Sequence, residues 1–81
     1  MASITVAPVP ANEFMNVAFG DADGQFELTL IDITGKVVKA RNVVAEAGTS
    51  VPVYVGDLAA GMYTLNVQNG AQVKTLKVAI Q

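Results

Sequence analysis

The chain contains no cysteine, no histidine and no tryptophan among its 81 residues. Without cysteine it cannot form a disulfide framework, a zinc-thiolate site or a thiol nucleophile. Without histidine it lacks the commonest general base and metal ligand. Ser3, Ser50 and the six threonines therefore have no imidazole to activate them. These absences argue against nucleophilic catalysis, and we expect no enzymatic activity, no metal and no cofactor.

Positive charge is also scarce. The chain has five Lys and Arg residues and seven acidic residues, which gives a net charge of -2. A nucleic-acid-binding protein needs an excess of positive charge. Although 52% of the residues are apolar, no uninterrupted apolar run reaches the roughly 18 residues of a membrane-spanning helix, and no secretory signal opens the chain. Because Met1-Ala2 resembles an added start, we expect residues 1–81 to be a single domain excised from a longer protein.

Residues that favour β-structure are abundant instead, with thirteen Val, six Thr, four Ile, three Phe and two Tyr. No segment shows apolar residues at helical spacing over three turns, whereas six segments alternate with a period of two. Their apolar positions are predicted to face a core: Ile4 and Val6; Met15, Val17 and Phe19; Phe26, Leu28 and Leu30; Val51, Val53 and Val55; Tyr63, Leu65 and Val67; Leu76, Val78 and Ile80. A seventh strand, from about residue 36 to residue 45, alternates less cleanly.

Turn-forming residues separate these segments: Asp21-Ala22-Asp23-Gly24, Asp32-Ile33-Thr34-Gly35, Ala47-Gly48, Gly56-Asp57 to Gly61, and Asn69-Gly70. Asn and Gly tolerate the positive φ of a type I′ turn best, so Asn69-Gly70 predicts a two-residue hairpin turn. That turn would place Tyr63 opposite Leu76 and Lys74 opposite Leu65. Short strands at intervals of about ten residues predict an all-β, immunoglobulin-like antiparallel β-sandwich of about seven strands, with a small barrel as the alternative.

Two acidic motifs are candidate sites of chemistry. Asp21-Ala22-Asp23-Gly24 resembles the opening of a calcium loop, but no bidentate Glu follows at the required distance. Asp32-Ile33-Thr34-Gly35 resembles the signatures of aspartic proteases and of phosphorylated transport ATPases, and it matches the spacing or composition of neither. We interpret it as a turn in which the Asp32 side chain accepts backbone N–H bonds and Gly35 takes a positive φ.

Three apolar residues interrupt the polar outer faces: Phe14, Ile31 and Tyr54. They could form a contact patch for another protein or domain. Scattered exposed apolar residues are also normal on a protein surface, so both interpretations stay open.

Three segments taken in order resemble one family: Pro8-Val9-Pro10-Ala11-Asn12 leading to Met15-Asn16-Val17; Leu28 to Val38, which includes Asp32 and Gly35; and Gly61 to Gly70, running on to Lys77-Val78-Ala79-Ile80-Gln81. The chain resembles the type A C-terminal sorting domains of the type IX (Por) secretion system, found on exported proteins of Bacteroidota such as Porphyromonas. The resemblance covers essentially the whole chain. Its motif turn residues here are Pro8, Pro10, Asp32 and Gly35, and Val9 stands where the family usually has Asn.

The resemblance implies a seven-stranded immunoglobulin-like sandwich that is not an enzyme but a sorting signal. Its cargo would lie N-terminal to it, and its partners would be the type IX translocon and a sortase that removes it. The cargo would pass from the periplasm across the outer membrane to the cell surface or the medium. The alternative is a β-sandwich accessory module for adhesion or carbohydrate binding, for which the lack of Trp offers few aromatic platforms.

The densest match lies in the C-terminal hairpin, Gly61 to Gln81, and a terminal strand at a sheet edge could pair with a partner strand. The candidate partner-binding residues are Gly61, Tyr63, Gly70, Lys74, Lys77, Val78, Ile80 and Gln81. Lys74 shares a face with Leu76 and Val78, whereas Lys77 is predicted to point outward with Gln81 beside it. The alternative is that Lys77 only protects the edge from aggregation.

Overall fold

Seven β-strands make up the fold over the residues that the structure describes. The computed structural model describes residues 4–7, 13–70 and 72–81. The strands are β1 (Thr5–Ala7), β2 (Phe14–Ala18), β3 (Gly24–Ile31), β4 (Val37–Ala45), β5 (Ser50–Tyr54), β6 (Gly61–Asn69) and β7 (Gln72–Ile80). Among the described residues there is no helix that could serve as a membrane span.

The strands form two antiparallel sheets with the orders β1-β2-β5 and β4-β3-β6-β7, which confirms the predicted immunoglobulin-like β-sandwich. Strand β4 pairs with β3 and so belongs to the larger sheet. In the constant-type immunoglobulin fold the fourth strand belongs to the other sheet. The edges of the larger sheet are therefore β4 and β7, and those of the smaller sheet are β1 and β5.

The core lies between the two sheets because every second residue of each strand points inward. Its buried members are Ile4, Met15, Val17, Phe19, Phe26, Leu28, Leu30, Ala45, Val53, Val55, Tyr63, Leu65, Val67, Val78 and Ile80. Of the residues predicted to face the core, only Val6, Val51 and Leu76 are half-buried. All three lie on edge strands, where one neighbouring strand is missing.

Strand β4 alternates poorly for a physical reason. A register shift between Leu30 and Ile31 interrupts its pairing with β3, and Lys39 occupies the position opposite Leu30. The Lys39 ammonium donates to the Tyr54 carbonyl oxygen at 2.7 Å and pairs with the Asp57 carboxylate at 3.1 Å. A cation at this inward position thus links the edge of one sheet to the end of β5 in the other.

The predicted register of the C-terminal hairpin was wrong. Asn69 pairs with Gln72, so the turn lies between these two residues, and Gly70 takes a φ of 60°. Tyr63 therefore pairs with Val78, not with Leu76, and Lys74 pairs with Val67, not with Leu65. Moving the turn by one residue shifts the pairing by two, so each side chain keeps its predicted face.

Candidate functional site

The C-terminal hairpin ends on an exposed sheet edge. Strand β7 pairs with β6 along one side, and within the described residues no strand pairs with its other side. An edge strand presents unpaired backbone N–H and C=O groups that another chain can pair with. The predicted condition for β-strand addition is therefore met.

Three of the candidate side chains face the core. Val78 and Ile80 are buried between the sheets, and Tyr63 is only 8% exposed. The Tyr63 hydroxyl donates to the Ala59 carbonyl oxygen at 2.6 Å, the arrangement called a tyrosine corner in immunoglobulin-like sandwiches. In the folded domain these side chains stabilise the sandwich and are not accessible to a partner.

The remaining candidates differ in accessibility. Gly61 begins β6, Gly70 lies in the hairpin turn, and Lys74 is half-buried on the inward side of β7. Lys77 and Gln81 are exposed, and Lys77 lies opposite Thr64 on the outer face of the larger sheet. The structure therefore confirms the predicted orientations of Lys74 and Lys77, and Lys77 and Gln81 are the exposed side chains among the candidates.

The Asp32–Gly35 turn connects β3 to β4 and has the predicted geometry. One carboxylate oxygen of Asp32, Oδ1, accepts the Thr34 N–H at 2.9 Å, the Thr34 hydroxyl at 2.6 Å and the Lys36 N–H at 3.1 Å. The Gly35 N–H donates to the Asp32 carbonyl oxygen at 3.0 Å, and Gly35 has a φ of 90°. A type I turn followed by a glycine with positive φ is a common hairpin connection. The two other motif residues, Pro8 and Pro10, lie outside the described residues.

These hydrogen bonds favour the charged form of Asp32. The Thr34 hydroxyl makes the largest contribution and the Lys36 N–H the next, and together they hold the pKa of the Asp32 carboxyl below its usual value. The carboxylate therefore stabilises the native state at neutral pH, and that stabilisation is lost as the pH falls through the lowered pKa.

We expect Asp32→Asn to be less stable than the wild type at pH 6, since the amide carries no charge for the Thr34 and Lys36 donors to stabilise. The difference should shrink once the pH falls below the unfolded-state value of about 3.9. Urea unfolding of both proteins at several pH values between 6 and 2 measures it. Thr34→Val, which removes the strongest donor, should show a smaller pH dependence than the wild type. A stability difference between wild type and Asp32→Asn that is constant over the whole range would contradict this account.

A groove lies beside this turn on the outer face of the larger sheet. It has a volume of about 630 Å³. The residues that line it are Ile31, Asp32, Ile33, Gly35, Met62, Tyr63, Thr64 and Lys77. The groove thus unites two segments that sequence reasoning treated separately, the Asp32–Gly35 turn and the C-terminal hairpin. Its apolar wall residues Ile33 and Met62 were missed, although the outward position of Met62 follows from its alternation with Tyr63.

The three outward apolar residues do not form one patch. Phe14 and Tyr54 are neighbours on the smaller sheet, with ring centroids 5.3 Å apart in an edge-to-face arrangement. They are 47% and 44% exposed, and the Lys39 ammonium lies 5.6 Å from the Tyr54 ring centroid. Ile31 lies on the other sheet and lines the groove.

The Asp21–Gly24 motif has no ligand cluster around it. The Ala22 N–H donates to the Phe19 carbonyl oxygen at 2.9 Å, so the turn is centred on Gly20 and Asp21 and begins before the predicted segment. Over the part of the chain that the structure describes, no three His, Cys, Asp or Glu side chains come together in a group that could hold a metal ion.

The sequence was matched by a model of a known protein family. The family model described as "Secretion system C-terminal sorting domain" matches residues 5–81. A search of curated proteins found no significant match.

Proposed function

The chain belongs to the family of secretion system C-terminal sorting domains, and from this membership we propose that it is a non-catalytic export signal. A sorting domain of the type IX system marks a protein for secretion across the outer membrane to the cell surface or the extracellular space. In this proposal the chain carries an N-terminal cargo through the periplasm to the translocon, and a sortase then removes it.

The observation that supports the proposal is the edge strand β7. Its outer side is free for strand addition within the described structure, and the family match runs through it to residue 81. Strand addition uses backbone hydrogen bonds for affinity and alternate side chains for specificity. A signal of this kind needs a stable fold and a distinctive surface, and it needs no reactive side chain.

Lys77 supplies specificity on that edge. Its ammonium extends from the outer face of β7, and Gln81 follows it four residues later at the end of the hairpin. Lys74, the other cation of β7, is half-buried and faces the core side. A translocon component that pairs with β7 would therefore contact Lys77 directly.

A reporter secreted into the periplasm and fused ahead of the domain tests the proposal in a host with a type IX system. We expect the wild-type fusion to reach the cell surface and Lys77→Glu to lower the amount several-fold, because a rim charge changes the association rate most. Arg41→Glu is the matched control: Arg41 is exposed on β4, the opposite edge of the same sheet, and undergoes the same change of charge.

The control variant should be exported like the wild type, and both variants should unfold at the wild-type temperature. Retention of the wild-type fusion inside the cell would refute the sorting function for this chain. If Lys77→Glu is exported normally, Lys77 is not part of the signal. That result would favour the alternative that Lys77 protects the edge from aggregation.

A further inference from the structure

We propose that Lys74 selects the strand that adds to β7, because such a strand must place a carboxylate beside the Lys74 ammonium. This inference rests on the proposed function, which includes strand addition at β7 but leaves the chemistry of the added strand open. It identifies the partner as an extended segment with an acidic residue on the face that turns toward the core of the sandwich.

The two sides of the sandwich differ in how the sheets meet. On one side, β4 of the larger sheet contacts β5 of the smaller sheet. The other two edge strands, β7 and β1, therefore lie on the opposite side of the core. Leu76 on β7 and Val6 on β1 face inward there, and both are only half-buried. The β1–β7 side is thus the side at which an added strand would extend the core.

The β4–β5 side shows how this fold accommodates a cation on the inward face of an edge strand. Lys39 pairs with Leu30 of β3 and so faces inward from β4. Its ammonium lies 3.1 Å from the Asp57 carboxylate, and its side chain is 20% exposed. A poorly hydrated ammonium needs such a counter-charge. Here the carboxylate reaches it from the turn that follows β5 in the other sheet.

Lys74 has the corresponding position on the opposite edge of the larger sheet. It pairs with Val67 of β6, whose side chain is fully buried, so Lys74 faces inward from β7. Among the described residues no carboxylate lies at ion-pair distance from its ammonium. Lys74 is half-buried, so water still solvates it in the free domain. The counter-charge that Asp57 provides for Lys39 has no equivalent here.

A strand added to β7 would displace that water. It would lie about 4.8 Å beyond β7, and the side chain opposite Lys74 would have its Cβ about 5 Å away. An apolar residue at that position would leave a buried, unpaired ammonium, whereas a carboxylate could pair with it. Strand β7 itself contains no acidic residue, so a second copy of β7 cannot provide the carboxylate. Lys74 therefore disfavours self-pairing of the edge and favours an acidic partner strand.

The test uses the initial rate at which the fused reporter appears on the cell surface. Lys74→Met keeps a long apolar stem and removes the charge, so it should slow export about tenfold, because the partner carboxylate loses its counter-charge. Lys74→Arg should be exported at close to the wild-type rate, and Lys74→Glu should be slower than Lys74→Met. Arg41→Met is the matched control and should be exported like the wild type. Arg41 pairs with Leu28, so it lies on the inward side of β4, at the opposite edge of the same sheet.

Unfolding temperatures of the variant domains separate the contact from an effect on folding. Lys74→Met should unfold at or above the wild-type temperature, since a methionine costs less to bury than a lysine. If it unfolds at a lower temperature, Lys74→Gln replaces it as the uncharged variant. Wild-type export of the uncharged variant would overturn the proposal, and so would equal slowing of Lys74→Arg and Lys74→Met. In both cases export of the wild-type fusion would leave the sorting function intact, whereas its retention in the cell would refute that function itself.

Discussion

Deleting Lys77–Gln81 is expected to abolish surface delivery of a fused reporter. The deletion removes half of the β7 edge, the exposed Lys77 and Gln81, and the partners of residues 61 to 64 on β6. The measurement is the fraction of reporter on the cell surface against the fraction retained in the periplasm. Delivery of the truncated fusion would show that the signal lies elsewhere in the domain.

This deletion also removes Val78 and Ile80 from the core, so loss of folding must be separated from loss of the signal. Val78→Ala provides the control: it leaves a cavity at a fully buried site but keeps every exposed residue of β7. If Val78→Ala is exported while the deletion is not, the missing surface explains the defect. Circular dichroism and unfolding curves of the isolated domains establish how much structure each variant keeps.

Leu65→Ala should lower the free energy of unfolding by about 2–5 kcal/mol. Leu65 is 1% exposed and lies on β6 between Leu30 of β3 and Leu76 of β7. A domain of this length has a free energy of unfolding of about 4–12 kcal/mol, so the predicted loss is a large fraction of the total stability. Urea unfolding gives the free energy of unfolding in water and its slope.

Leu76→Ala is the matched control, since it removes the same atoms from the same cross-strand row at a half-buried edge position. Its loss should be clearly smaller, because the site is partly open to water before the change. Equal losses for the two variants would mean that Leu65 is no better packed than the edge, and the account of the core would be wrong.

The period of two was sufficient to predict the strands and their inward faces. It worked because a half-buried strand must alternate, and Leu28, Tyr63 and Val78 are buried as that rule requires. The Asp32–Gly35 turn was predictable for a similar reason, since its hydrogen bonds are made within five consecutive residues.

Features that local sequence preference does not decide could not be predicted. The hairpin register was wrong because Asn69 could serve as a turn residue or as the last paired residue, and local preference does not decide between them. The inward position of Lys39 is favourable only because Tyr54 and Asp57 arrive from the other sheet. Likewise, nothing local to Ile33 or Lys77 shows that they share a groove, since β3 must first pair with β6.

The larger sheet joins two hairpins of neighbouring strands, β3–β4 and β6–β7, through the pairing of β3 with β6. Isolated hairpins form in about 1–10 μs, whereas domains that depend on distant strand pairs fold in milliseconds to seconds. We therefore expect the C-terminal hairpin, with the edge of β7, to exist transiently before the sheet is complete. The groove cannot form before the sheet is complete, because Ile33 belongs to one hairpin and Met62 and Lys77 belong to the other. A receptor that contacts only the β7 edge would also bind incompletely folded chains, whereas one that contacts residues of both hairpins would bind only chains that have finished folding.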